Sequence, residues 1–160
     1  MAIASVYQYF SNKEALTFAL VGKMRTQYRD EITGFIETYQ GDDVEELLHG
    51  LFKTTLVVFF KKKKFSRFVY SIEPLFFSHA NIIAERELIM NALGKKLGEM
   101  GVQVSEDMDH VGKIIVAACG GYFRYLLYKP DDGEIDIHVQ EMVKIGMGYL
   151  EHIKCEKSEA

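Results

Sequence analysis

Proline occupies only two of the 160 positions, Pro74 and Pro130. Inside a helix, proline removes a hydrogen bond and clashes with the preceding turn. Its scarcity leaves long stretches free to run as helix. Apolar residues recur at spacings of three and four along most of the chain. No stretch alternates apolar and polar residues as a half-buried strand does. The expected class is therefore all-α, and no internal repeat divides the chain.

Cap and breaker signals place six helices. Ser11-Asn12-Lys13-Glu14 reads as an S-x-x-E capping box with Ser11 as the cap, and Phe10 precedes it as a staple. The helix it opens runs through Leu16, Leu20, Met24, Tyr28, Ile32, Phe35 and Ile36. Gly41-Asp42-Asp43 ends it and caps the next. The second helix, about 43–62, is apolar on nearly every side and so is expected to be central. The run Lys61 to Lys64 reads as its solvated carboxyl end, where cations suit the helix dipole. A third helix is expected over 66–77. A fourth, over 81–100, is closed by Gly101. A fifth runs from about Ser105 to Tyr128. The sixth, about 136–154, has an apolar stripe of Ile135, Val139, Met142, Val143, Gly146, Tyr149, Leu150 and Ile153.

Hydrophobic residues make up 48% of the chain and charged residues 26%, a balance that supports a real core. The net charge is −4. A free-standing nucleic-acid binder is expected to carry a basic surplus, so any basic reader here must be local or lie elsewhere. Cys119 and Cys155 form no CxxC pair and read as reduced thiols of a cytoplasmic protein. No basic leader is visible, and no run approaches the ~20 apolar residues of a membrane span. The histidines at 49, 79, 110, 138 and 152 show no i,i+4 pairing, so no metal site is expected. No nucleophile elbow, phosphate loop or paired catalytic carboxylate appears, so no cofactor and no enzymatic chemistry are expected.

The densest motif is Ala4-Ser5-Val6-Tyr7-Gln8-Tyr9-Phe10-Ser11-Asn12-Lys13-Glu14-Ala15-Leu16. It resembles the end of the helix-turn-helix of the TetR, or tetracycline-repressor-like, family of transcriptional regulators. Tyr7, Tyr9, Phe10, Asn12, Lys13, Glu14 and Leu16 carry the match. The resemblance implies two parts. Residues 1–12 would be a remnant of the DNA-binding headpiece, comprising the end of the recognition helix. Residues 13–160 would be a helical bundle that senses a ligand and dimerises. Tyr7, Tyr9 and Lys13 would contact the DNA backbone, which positions a protein without reading bases. Family members carry two helices before this point, so operator binding is expected only of a form with a complete headpiece.

A sensor needs a cavity lined by apolar groups and a few polar ones. The candidates in the middle helices are His49, Phe52, Phe59, Phe68, Tyr70, Glu73, Phe76, Phe77, His79, Tyr122, Phe123 and Arg124. Their aromatic bias points to a small hydrophobic or aromatic effector. The small residues Gly112, Ala117, Gly120 and Gly121 permit close approach of a helix or a ligand. The last two helices are expected to form a homodimer seam through Ala117, Gly121, Tyr125, Val139, Met142, Val143, Gly146, Tyr149, Leu150 and Ile153. The alternative function is an all-α carrier of hydrophobic ligands, or an enzyme without DNA binding. That alternative requires polar residues converging on the pocket.

Overall fold

The computed structural model describes residues 12–76, 79–129 and 134–154. Among these residues there are six helices and no strand. They are α1 (Lys13–Thr38), α2 (Val44–Phe60), α3 (Lys63–Phe76), α4 (His79–Glu99), α5 (Met108–Tyr128) and α6 (Ile135–Ile153). A single β-bridge, Val104 to Lys154, ties the α4–α5 loop to the end of α6. No helix among the described residues is long and apolar enough to cross a membrane.

The helix starts follow the sequence, with one shift. Asn12, not Ser11, caps α1, and its side-chain oxygen accepts from the Ala15 amide at 2.8 Å. Asn is as good a cap as Ser because it too places an acceptor over the first free amides. Ser11 lies outside the described residues, as does everything before it. Asp43 caps α2 as expected, accepting from the Glu45 amide at 2.8 Å and the Glu46 amide at 3.2 Å. Gly101, at φ 74°, ends α4. Its neighbour Val102 donates back to Leu97 at 3.1 Å, the backward-reaching bond that a left-handed residue makes possible.

The helix that is apolar all round is indeed central. Leu47, Leu48, Leu51, Phe52, Leu56 and Phe59 of α2 are all buried. Burying each such side chain contributes about 1.5–3 kcal/mol. Against α2 pack α6 and α1, while α4 lies along α5 and against α1. The α4–α5 crossing is close because both helices carry glycine there. A methyl group at Gly112 would meet the Met90 carbonyl oxygen and come within 2.8 Å of the Gly94 nitrogen.

Two surface expectations change. Leu20 is largely exposed, because α1 turns Val21, Met24 and Arg25 inward instead. The lysine run is not a uniformly solvated end. Lys63 opens α3 and donates to the Lys129 carbonyl at 3.0 Å, beside Arg67, which donates to the Leu127 and Lys129 carbonyls. These cations satisfy the carboxyl end of α5, where carbonyls lack helical partners.

Candidate functional site

A cavity of about 360 Å³ lies between α1, α2, α3, α4 and α5, with Met142 of α6 at its edge. This is at the small end of the range, about 300–1,000 Å³, usual for small-molecule sites. Its inner wall is aromatic. Phe59 sits 4.6 Å from Phe123, 5.7 Å from Tyr70 and 3.9 Å from Tyr28, measured between ring centres. Tyr70 and Phe123 close the group at 5.9 Å. Phe52, Ile32, Leu51, Val69, Ile89 and Val116 complete the apolar lining.

The outer wall is charged. Arg25 of α1 approaches Glu73 of α3 at 3.1 Å and Glu85 of α4 at 3.8 Å. It also donates to the Asn81 carbonyl at 3.2 Å. Arg86 of α4 stands 3.7 Å from the other oxygen of Glu73. Arg29 and Arg124 also line the cavity. Arg29 is engaged by Asp30 at 2.7 Å. Arg124 is exposed and makes no ion pair with any described carboxylate.

Local hydrogen bonds hold the aromatic wall. Buried Ser66 donates to the Phe59 carbonyl at 2.8 Å, which leaves its oxygen to accept from the Tyr28 hydroxyl at 2.9 Å. Three helices are thereby joined at one hydroxyl. Burial, the largest effect on Tyr28, raises its phenol above the ordinary value, and the Ser66 bond partly opposes this. Tyr70 is pushed up to about 12, again chiefly by burial, with Arg86 and Arg124 pulling the other way. Its hydroxyl makes no hydrogen bond to a described residue. At neutral pH it is an uncharged hydroxyl on a residue that lines the cavity.

The cavity gathers six of the expected pocket residues: Phe52, Phe59, Tyr70, Glu73, Phe123 and Arg124. It excludes others. His49 is partly buried on α2 away from the lining. Phe68 points outward, 49% exposed, and stacks on Phe65 at 6.4 Å. Tyr122 faces α6, where its hydroxyl lies 2.9 Å from His138 Nδ1. Phe77 and the side chains of Phe76 and His79 lie outside the described part, as do Tyr7 and Tyr9. Lys13 lies at the first turn of α1, remote from the cavity. Arg25, Tyr28, Arg29, Glu85, Arg86 and Met90 are lining residues that the sequence reading missed. The available signal was an arginine, Arg25, on the apolar face of α1 between Met24 and Tyr28.

The residues expected at a homodimer seam divide into two groups. Val139, Met142, Val143, Leu150 and Ile153 are already buried in the chain's own core. Gly146 faces Leu48 of α2, whose Cδ1 would lie 2.9 Å from an added methyl carbon. The clean stripe of α6 is filled largely by α2, so these six positions are turned into the chain's own core. Tyr149 is partly buried and donates to Glu106 at 2.9 Å. Ala117, Gly121 and Tyr125 remain exposed on α5, the first two at the cavity's edge. Methyl groups at Gly120 and Gly121 would meet nothing, whereas Gly112 is consumed by the α4 crossing.

Among the described residues no three His, Cys, Asp or Glu side chains gather as a metal would require. Comparison with protein-family models, with curated proteins and with solved structures gives no match to the chain.

Proposed function

We propose that this chain is the ligand-sensing and dimerising body of a TetR-like transcriptional regulator. On this reading a small hydrophobic or aromatic effector occupies the cavity, and DNA is bound only by a form with a complete headpiece. The observation that carries the proposal is that α1 itself forms one wall of the cavity. Arg25, Tyr28, Arg29 and Ile32 all line it. The same helix begins at Asn12-Lys13-Glu14, within the motif that resembles the junction to a DNA-reading headpiece. A ligand in this cavity touches α1, so its contacts change whenever that helix shifts. This is what coupling between a pocket and a headpiece requires.

The homodimer belongs to the same reading, with its seam moved to the outer faces of the last two helices. Ile114, Tyr125 and Tyr128 of α5 and Ile137 and Ile145 of α6 are exposed large apolar side chains. Such residues on adjacent helices are the kind of surface that a second copy covers.

Thermal unfolding of the purified chain against a panel of small hydrophobic and aromatic compounds tests the sensor. At least one compound is expected to raise Tm in a concentration-dependent way. A uniformly silent panel counts against it. Sedimentation equilibrium tests the seam: a dimer is expected at micromolar concentration, and a monomer there refutes it.

A carrier or enzyme is the second reading, and one observation favours it. Arg25, Glu73, Glu85 and Arg86 converge on the cavity, which is the polar grouping that reading requires. Mass analysis of bound compounds after prolonged incubation discriminates. Recovery of a chemically altered product supports the enzyme, and recovery of the unchanged compound supports a binding protein.

A further inference from the structure

The cavity has a polarity that its apolar lining alone does not convey. Its inner end is a cluster of aromatic rings and its mouth is charged. Four arginines and two glutamates share the lining. Both glutamates already face Arg25, and Glu73 also faces Arg86. Asp30, outside the lining, engages Arg29. What remains in the lining is Arg124, without a carboxylate partner among the described residues, and Arg86, held among them by one contact of 3.7 Å.

Tyr70 belongs to the aromatic wall and lines the same cavity as these cations. Its hydroxyl donates to no described residue, and both Arg86 and Arg124 act on it electrostatically. One neutral donor and two guanidinium groups, arranged at the mouth of an apolar pocket, match a planar anion. Arginine suits a carboxylate because its fork offers parallel N–H donors. A cationic head group would find both carboxylates taken and Arg124 repelling it.

We propose that the effector is an amphipathic anion: a carboxylate on an aromatic or alicyclic body, its ring among Phe59, Tyr70 and Phe123 and its carboxylate at Arg124, Arg86 and the Tyr70 hydroxyl. This deepens the sensor reading and rests on it. The carboxylate carries one negative charge into a mouth whose cations exceed its anions. It therefore neutralises the site without taking either glutamate from Arg25.

Isothermal titration calorimetry with three matched probes tests this. Naphthylacetate, naphthylethanol and naphthylethylammonium share a ring system and differ in head-group charge. The carboxylate is expected to bind the intact chain about tenfold or more tighter than the alcohol, in keeping with a charge-assisted hydrogen bond. Arg124→Gln is expected to weaken carboxylate binding severalfold more than alcohol binding, and since Arg124 supports no described contact in the fold its Tm should stay that of the intact chain. Tyr70→Phe is expected to reduce carboxylate binding severalfold more than alcohol binding. Equal binding of carboxylate and alcohol, or tightest binding of the ammonium, overturns the anionic effector and leaves the sensor cavity standing. A preference for the carboxylate that is undiminished in Arg124→Gln also overturns the assignment. Absence of binding by all three overturns both the anionic effector and the ring-binding cavity on which it rests.

Discussion

Arg25 Nε lies 3.1 Å from Glu73 Oε1, and this contact joins α1 to α3 across the outer wall of the cavity. Both side chains are nearly enclosed, at 7% and 11% exposure. Charges so removed from water are costly unless paired, and Arg25 answers with Glu85 and the Asn81 carbonyl as further partners. The cluster therefore binds three helices along one wall of the cavity.

Removing one member should cost more than removing two. Glu73→Gln leaves Arg25 with the weaker Glu85 contact and is expected to destabilise the fold by about 3 kcal/mol, the lower end for a broken buried pair. Arg25→Met leaves Glu73 facing only Arg86 and should cost a similar amount. The double variant Arg25→Met, Glu73→Leu is expected to recover most of the loss, because no buried charge is left alone. Urea unfolding of all four proteins checks this, and additive losses would show that the pair is not energetically coupled.

Cys119 is 1% exposed, and its thiol lies 3.5 Å from the Met142 carbonyl. Burial pushes its pKa from 9.0 up to about 12. Below pH 9 the thiol is protonated in folded and unfolded chains alike, so its contribution to stability is complete. Above that, the unfolded chain ionises first and stability falls by about 1.4 kcal/mol per pH unit until the folded thiol also ionises. Tyr70 adds to the same alkaline loss between 10.0 and about 12. In a Cys155→Ser background, Cys119 should resist a disulfide reagent at neutral pH until denaturant is added. Cys119→Ala should flatten the alkaline limb of the stability profile. Prompt labelling of the native chain would contradict the burial.

The helices were legible in the sequence because caps and breakers are local. Asp43 and Gly101 behave as their residue types dictate, and Asn12 takes over from Ser11 only because two acceptable caps stand side by side. The cavity's aromatic wall was half legible for a related reason: Phe52, Phe59, Tyr70 and Phe123 sit in apolar runs that must face inward. Periodicity could not say which partner would cover a stripe. The α6 stripe from Ile135 to Ile153 suits a second subunit as well as it suits α2, and α2 fills it. The charged wall was hidden for a different reason. Glu85 and Arg86 look like wet positions on an amphipathic helix, and Arg25, though it stands on the apolar face of α1, shows no partner within its own helix. They become a cluster only when α1, α3 and α4 meet.

Arg67 should matter beyond its surface position. It donates to the Leu127 and Lys129 carbonyls, at the end of α5 where helical partners run out. Arg67→Met is expected to cost about 1–2 kcal/mol, since Lys63 still reaches Lys129. The loss should be local as well. Hydrogen exchange in the last turn of α5 is expected to accelerate while that of α2 follows global stability alone. Unchanged protection of that turn would mean that the carbonyls are adequately satisfied by water.

Glycines 112 and 120 lie two turns apart on α5 and should respond oppositely to the same substitution. A methyl group at Gly112 meets the Met90 carbonyl oxygen and presses on the Gly94 backbone. Backbone cannot rotate away as a side chain can, so α4 and α5 must separate. Gly112→Ala is expected to cost about 3 kcal/mol, at the upper end for overpacking. A methyl group at Gly120 meets nothing. There alanine removes only the excess freedom of glycine in the unfolded chain, and Gly120→Ala should stabilise the fold by up to about 1 kcal/mol. Chemical denaturation of the two variants measures both signs. A loss at Gly120 as large as that at Gly112 would mean that another surface already covers α5 at this point, as a tightly paired second copy would.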